Sequence, residues 1–279
     1  MVQEPADPFG DINPGLLLRQ LLERLYPPDS QPDAITAGSP FTLRVDNALM
    51  SDGELAFLMY NSAINYMVRR LITAAHYFRK KSEGNDLIFR EKLRSFLRDY
   101  TRLSNNAQSQ VLALLPACTA TRKKEPSDTT KRRIREQYER RKLGCYICGR
   151  EIDYSTSGPI YLKSKSEVEH VWPKSLGGIS LESNLALACS VCNQRKRDFI
   201  DASDFHYEEI SLITDESDES FDKDLPVEYR IAVAAKSEFK CAECGKPASE
   251  QGELYFARRD QSDSSHFLNI QAYCSRHIP

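Results

Sequence analysis

Leucines at positions 16, 17, 18, 21, 22 and 25 recur at helical spacing, and Pro27-Pro28 stops that helix. Residues 28–45 read as loop. Ser51-Asp-Gly-Glu54 is a capping-box pattern opening a long helix to about Lys81, with Leu55, Leu58, Met59, Ile64, Met67, Val68, Leu71 and Ile72 as its apolar positions. Ser82-Glu-Gly-Asn85 breaks it; helices over 86–103 and 107–115 follow, the second ended by Pro116. A polar linker over 119–130 leads into a helix over 128–142. Beyond it the period changes: 168–171 and 185–188 read as strands joined by the long loop Trp172-Pro-Lys-Ser-Leu-Gly-Gly-Ile-Ser180, and 190–200 as a helix, a β-β-α unit. Short strands are predicted at 254–257 and 267–272. The fold class is α+β, laid out as a disordered N-terminus (1–14), an all-α domain (15–118), a linker and helix (119–143), the β-β-α module (144–200), a connector (201–235) and a small C-terminal finger (236–279).

The chain of 279 residues has room for roughly two domains with cores. At 41% hydrophobic and 28% charged residues it falls in the globular class. No apolar run is long enough to span a bilayer, so no membrane partner is expected. The start, MVQEPADPFGDINPG, lacks a basic region followed by an apolar core, and a cytoplasmic protein with reduced thiols is expected. The net charge of −2 conceals an asymmetry: residues 122–142 carry a local charge of +6, residues 201–224 one of −9. A phosphate backbone would be drawn by the basic stretch, with Lys131, Arg132 and Arg135 as candidate contacts; a solvated face is the plainer alternative. The acidic run reads as a solvated face, with masking of the basic helix as a regulatory alternative.

Cysteine spacing changes the picture most. Cys145-Tyr-Ile-Cys148 and Cys189-Ser-Val-Cys192 supply four thiolates at tetrahedral reach, a structural zinc site with no open position, and Gly149 follows the first pair as a knuckle residue. Cys241-Ala-Glu-Cys244 and Cys274-Ser-Arg-His277 make a second structural zinc set, with His266 a rival for its fourth ligand. Cys118 stands outside both and reads as a small buried residue. His76 has no partner pattern and reads as a helical histidine of no catalytic role.

Between the first two cysteine pairs lie Glu169-His170, Pro173, Gly177-Gly178, Ser183-Asn184-Leu185 and, closing the stretch, Cys189-x-x-Cys192-Asn193-Gln-Arg-Lys196. In this order the pieces resemble the HNH endonuclease family, of the ββα-metal, treble-clef-like type stapled by zinc. The resemblance covers about 52 residues and leaves the N-terminal helices unaddressed. It implies His170 as general base, Asn184 as the residue holding its ring, and Glu169 with Asn193 as ligands of one divalent ion, Mg²⁺ or a similar hard cation. Because adjacent strand side chains point to opposite faces, Glu167 is the alternative carboxylate ligand. Lys174, Arg195 and Lys196 are further candidate phosphate contacts.

The expected function is metal-dependent hydrolysis of DNA phosphodiester bonds by an HNH nuclease with two structural zinc ions, in a restriction or anti-phage defence setting suggested by analogy. A companion protein is expected on the N-terminal helices. The alternatives are an RNA-cleaving nuclease, and a zinc-held nucleic-acid or protein binding module with an inactive centre. The C-terminal finger, with zinc-ribbon-like strands, carries no second Glu-His and Asn set and is expected to be non-catalytic.

Overall fold

A computed structural model describes residues 13–28, 45, 48, 53–154, 165–204, 225–263 and 265–279. Two units are formed. The first comprises residues 1–126 together with 170–184; the second comprises 127–169 and 185–279. The polar cap at Ser51, the loop expected from 29 onward and nearly all of the acidic run lie outside the described residues.

The first unit is built on four helices: α1 (Pro14–Leu25), α2 (Glu54–Lys81), α3 (Asp86–Tyr100) and α4 (Asn105–Thr121). Each buries one stripe of apolar side chains, such as Leu18 and Leu22 of α1, Val68 and Ile72 of α2, Leu93 and Leu97 of α3, and Val111 and Leu115 of α4. Asn85 and Ser104 cap α3 and α4 by accepting from the backbone N–H groups of Ile88 and Ala107. Two expectations are corrected here. Order extends further toward the N-terminus than the 1–14 boundary allowed, since Asn13 is buried and Pro14 opens α1, a position where its missing N–H costs nothing. In addition, α4 does not end at Pro116 but runs through it to Thr121. The turn beyond the proline is buried at Cys118, Thr119 and Thr121, and the two threonine hydroxyls donate to the carbonyls of Pro116 and Cys118, so packing and local hydrogen bonds outweigh the lost backbone bond.

Residues 170–184 belong to this first unit. Their backbone passes against α1, with Gly15 N–H donating to the Gly177 carbonyl at 3.3 Å. A β-carbon on Gly15 would fall 1.7 Å from the Leu176 carbonyl oxygen, so only glycine permits this approach.

The second unit opens with α5 (Asp128–Arg141), which lies on strand β2 and buries Ile134. Strands β1 (Ser166–His170) and β2 (Leu185–Cys189) pair in a two-stranded sheet, and α6 (Ser190–Lys196) follows β2 directly. Helix α7 (Val227–Lys236) packs against α6; it falls within what the sequence reading took as an acidic connector, although its core VEYRIAVAAK is strongly apolar. Helix α8 (Ala248–Gln251) and the antiparallel pair β3 (Tyr255–Arg258) and β4 (Ile270–Tyr273) complete the unit, with Tyr255 opposite Tyr273.

Candidate active site and metal clusters

Cys145 and Cys148 lie on the turn after α5, Cys189 ends β2 and Cys192 lies in the first turn of α6, so a hairpin-like turn and a helix start converge on one point. The four sulfurs lie within 4.8 Å of one another, and the Cys148 and Cys189 sulfurs are 4.0 Å apart. That matches the roughly 3.8 Å edge of a tetrahedron with Zn–S bonds of about 2.3 Å. Gly149 N–H donates to the Cys145 carbonyl at a φ of 75°, the left-handed turn that returns the chain past the sulfurs. Cys241, Cys244, Cys274 and His277 form a second cluster of the same dimensions, in which His277 offers Nδ1 at 3.2 Å from the Cys274 sulfur. His266, the rival fourth ligand, is instead 3.0 Å from Asp263 and is not one of the cluster. Both clusters have the donor set and spacing to hold zinc.

Within the second unit, Glu167 and Glu169 share one face of β1, the face that meets α6. Asn193 donates its side-chain amide to Glu167. Lys196, one turn later, donates to Glu169 at 3.0 Å, and the Tyr146 hydroxyl donates to the other Glu169 oxygen at 3.0 Å. Burial pushes the Glu169 carboxyl above the usual range, opposed by the Lys196 charge and the two hydrogen bonds. Of the two residues assigned to the divalent ion, Asn193 is therefore partnered with Glu167, while Glu169 is enclosed by the protein's own cation. Lys196, expected among the phosphate contacts, is buried.

Within the first unit, His170 leads into the loop, and its Nε2 lies 2.9 Å from the Ser180 hydroxyl. Ser180 in turn donates to the Lys124 carbonyl at 2.6 Å. A hydroxyl has one proton and a carbonyl can only accept, so the proton between His170 and Ser180 must come from Nε2. In a neutral ring the lone pair then belongs to Nδ1, the tautomer that a base acting through Nδ1 requires. Asn184 is fully buried at 0% exposure, and its amide forms four hydrogen bonds: it donates to the Trp172 and Ile179 carbonyls and accepts from Trp172 N–H and from the Asn13 amide. Its contact is thus with the peptides flanking the loop, with the neighbouring Trp172 indole pinned to the Leu176 carbonyl at 2.8 Å.

The other candidate phosphate contacts pair with acids of their own unit: Lys131 with Asp128, Arg132 with Glu136, Arg195 with Glu228, and Lys174 with Glu125. Surface pairs of this kind are worth about 0–1 kcal/mol. Arg135 keeps its Nε buried on α5. Sequence reasoning missed Asn13, Ser180, Tyr146 and the Lys124 carbonyl; none has a spacing signature, because each meets its partner across 10 to 171 positions of chain.

No curated protein and no solved structure matches the chain. A family model does, that of the HNH endonuclease, over residues 145–199, the stretch that holds the four-cysteine cluster, both acidic residues of β1, His170 and its loop, Asn184 and Asn193. No described helix is long and apolar enough to cross a membrane. Residues 145–199 thus match the HNH endonuclease domain model and carry four cysteines positioned for zinc.

Proposed function

We propose that the chain is a metal-dependent endonuclease that hydrolyses DNA phosphodiester bonds with His170 as general base. The observation that supports the reading is the Lys124–Ser180–His170 hydrogen-bond chain, which orients through Nε2 an imidazole for which the family resemblance implies this task. Water would yield its proton to Nδ1 as its oxygen bonds to phosphorus and the bond to the 3′-oxygen breaks. A divalent ion, Mg²⁺ in our proposal, would supply positive charge for the scissile phosphate when bound. The motif assigns that ion to Glu169 and Asn193; the Asn193 hydrogen bond favours Glu167 as the carboxylate beside it. Both offer the oxygen donors that a hard cation takes. Exposed Arg132 and Arg195 and half-buried Lys131 and Lys174 would trade their acidic partners for DNA phosphates.

One observation favours a second reading. The Lys196 ammonium holds the motif carboxylate in the manner of a built-in cation, as expected of a binding module whose centre has lost its chemistry. Plasmid cleavage with Mg²⁺, run beside an RNA of equal length, separates these readings. Parent protein that cuts while His170→Ala does not supports the nuclease; tight binding without cutting under Mg²⁺, Mn²⁺ and Ca²⁺ supports the binding module. A restriction or anti-phage setting, with a companion protein on the N-terminal helices, is proposed on analogy with other modules of this kind, and co-purification from the native host tests it.

A further inference from the structure

We infer that Asn13, the residue preceding α1, is a positioning residue for His170; the inference rests on the nuclease reading above. Asn13 stands where an N-cap residue stands, and its carbonyl opens α1 by accepting from Leu17 N–H at 2.9 Å. An asparagine at that position ordinarily turns its side-chain oxygen onto the first turn of its own helix. Here it makes no such bond. Its Oδ1 accepts from Ile179 N–H at 2.9 Å, and its Nδ2 donates to Asn184 Oδ1 at 3.3 Å. The residue is 2% exposed, so the helix has given up a cap to place a buried amide in the loop.

Both of those bonds lead to His170. On one side, Asn184 passes the constraint to the backbone immediately after the histidine, through its carbonyl to Val171 N–H at 3.0 Å and its amide to Trp172 N–H at 2.8 Å. On the other, Ile179 precedes Ser180, whose hydroxyl meets His170 Nε2. The backbone that carries the imidazole and the hydroxyl that sets its tautomer are therefore both referred to one amide, 157 positions earlier in the chain than His170. Asn184 has no spare donor or acceptor with which to replace it, since the other three of its bonds go to the loop. The close passage of Gly15 against the loop backbone holds the amide at this depth.

The test uses the full zinc-loaded chain carrying Asn13→Asp. Aspartate keeps the shape and the acceptor for Ile179 N–H but cannot donate to Asn184, and it sets a carboxylate oxygen against the Asn184 carbonyl oxygen. Trp172, the single tryptophan of the chain, reports the loop independently of cleavage through its indole ¹H–¹⁵N resonance. The expected result is a moved Trp172 resonance, kcat on plasmid DNA lower by roughly ten- to a hundredfold, and KM within about twofold of the parent. Leu18→Ala, which loosens α1 packing without touching the network, is expected to lower thermal stability and keep the parental rate below its unfolding transition. If the aspartate prevents folding, Asn13→Ala deletes both bonds without adding a charge and is read in the same way. Parental kcat in the Asn13 variant, or an equal rate loss in Leu18→Ala, overturns the inference. Should the parent cut no nucleic acid, the nuclease reading falls by itself, and an unmoved Trp172 resonance would then overturn the positioning role as well.

Discussion

The Lys196 ammonium donates to the Glu169 carboxylate at 3.0 Å, with the two side chains only 2% and 8% exposed. Removing one partner of such a pair strands a charge in a low-dielectric site, which costs about 3–5 kcal/mol, whereas replacing both by uncharged groups of similar volume is often neutral. Lys196→Met is expected to lose stability on that scale in urea unfolding, and Lys196→Met combined with Glu169→Gln to recover most of it. A Lys196→Met protein with the parental urea midpoint would show that the pair does not hold α6 on β1.

Ser180 fixes the protonated nitrogen of His170. Ser180→Ala is expected to lower kcat for plasmid cleavage by about tenfold or more and to move the limb of the pH–rate profile that reports the histidine, because the ring loses the partner that selects its tautomer. Ser180→Thr, which retains the hydroxyl, should keep both. Identical profiles for parent and Ser180→Ala would remove the serine from the account.

The thiols divide into two populations. Seven belong to the two clusters, whereas burial pushes the Cys118 thiol up to about 12 and leaves it inert. With two zinc ions bound, all eight cysteines are expected to resist a thiol reagent near neutral pH. Chelation should release seven, with Cys118 reacting last and only as the first unit unfolds. Seven thiols titrating at full speed before chelator is added would mean that the clusters hold no metal.

Burial, then the charge of Arg122, depresses the His76 pKa below its ordinary value of 6.5, with the Ser175 backbone opposing. With the folded value below the unfolded one, the contribution of His76 to stability is fully present above the unfolded pKa and is lost as pH falls through the folded one. The thermal midpoint of the first unit should therefore drop between about pH 7 and pH 5, and less steeply in His76→Gln. Parallel slopes in the two proteins would exclude the histidine as the source.

How legible these features were in the sequence follows from the range of the interactions that make them. The helices of the first unit are written in leucine and isoleucine spacing, which acts within a few residues, whereas the Asn85 and Ser104 caps emerged only with the structure. Cysteine pairs announce themselves because tetrahedral reach fixes their separation. Pro116 misled because its local penalty was weighed without the buried turn that follows it. The partition of Glu167 and Glu169 between Asn193 and Lys196 requires the packing of α6 on β1, which no local pattern encodes. Asn13 was hidden most completely, being a short polar residue in a Pro- and Gly-rich stretch, the composition of a disordered tail.

The four-cysteine cluster is assembled from the turn after α5, the end of β2 and the start of α6, three pieces brought to one point. A zinc ion held there would tie the three pieces together, and its binding free energy would count as folding free energy of that frame. Cellular zinc supply would then act as a licence, and a starved cell would accumulate chains whose proposed catalytic loop has no finished frame to sit on.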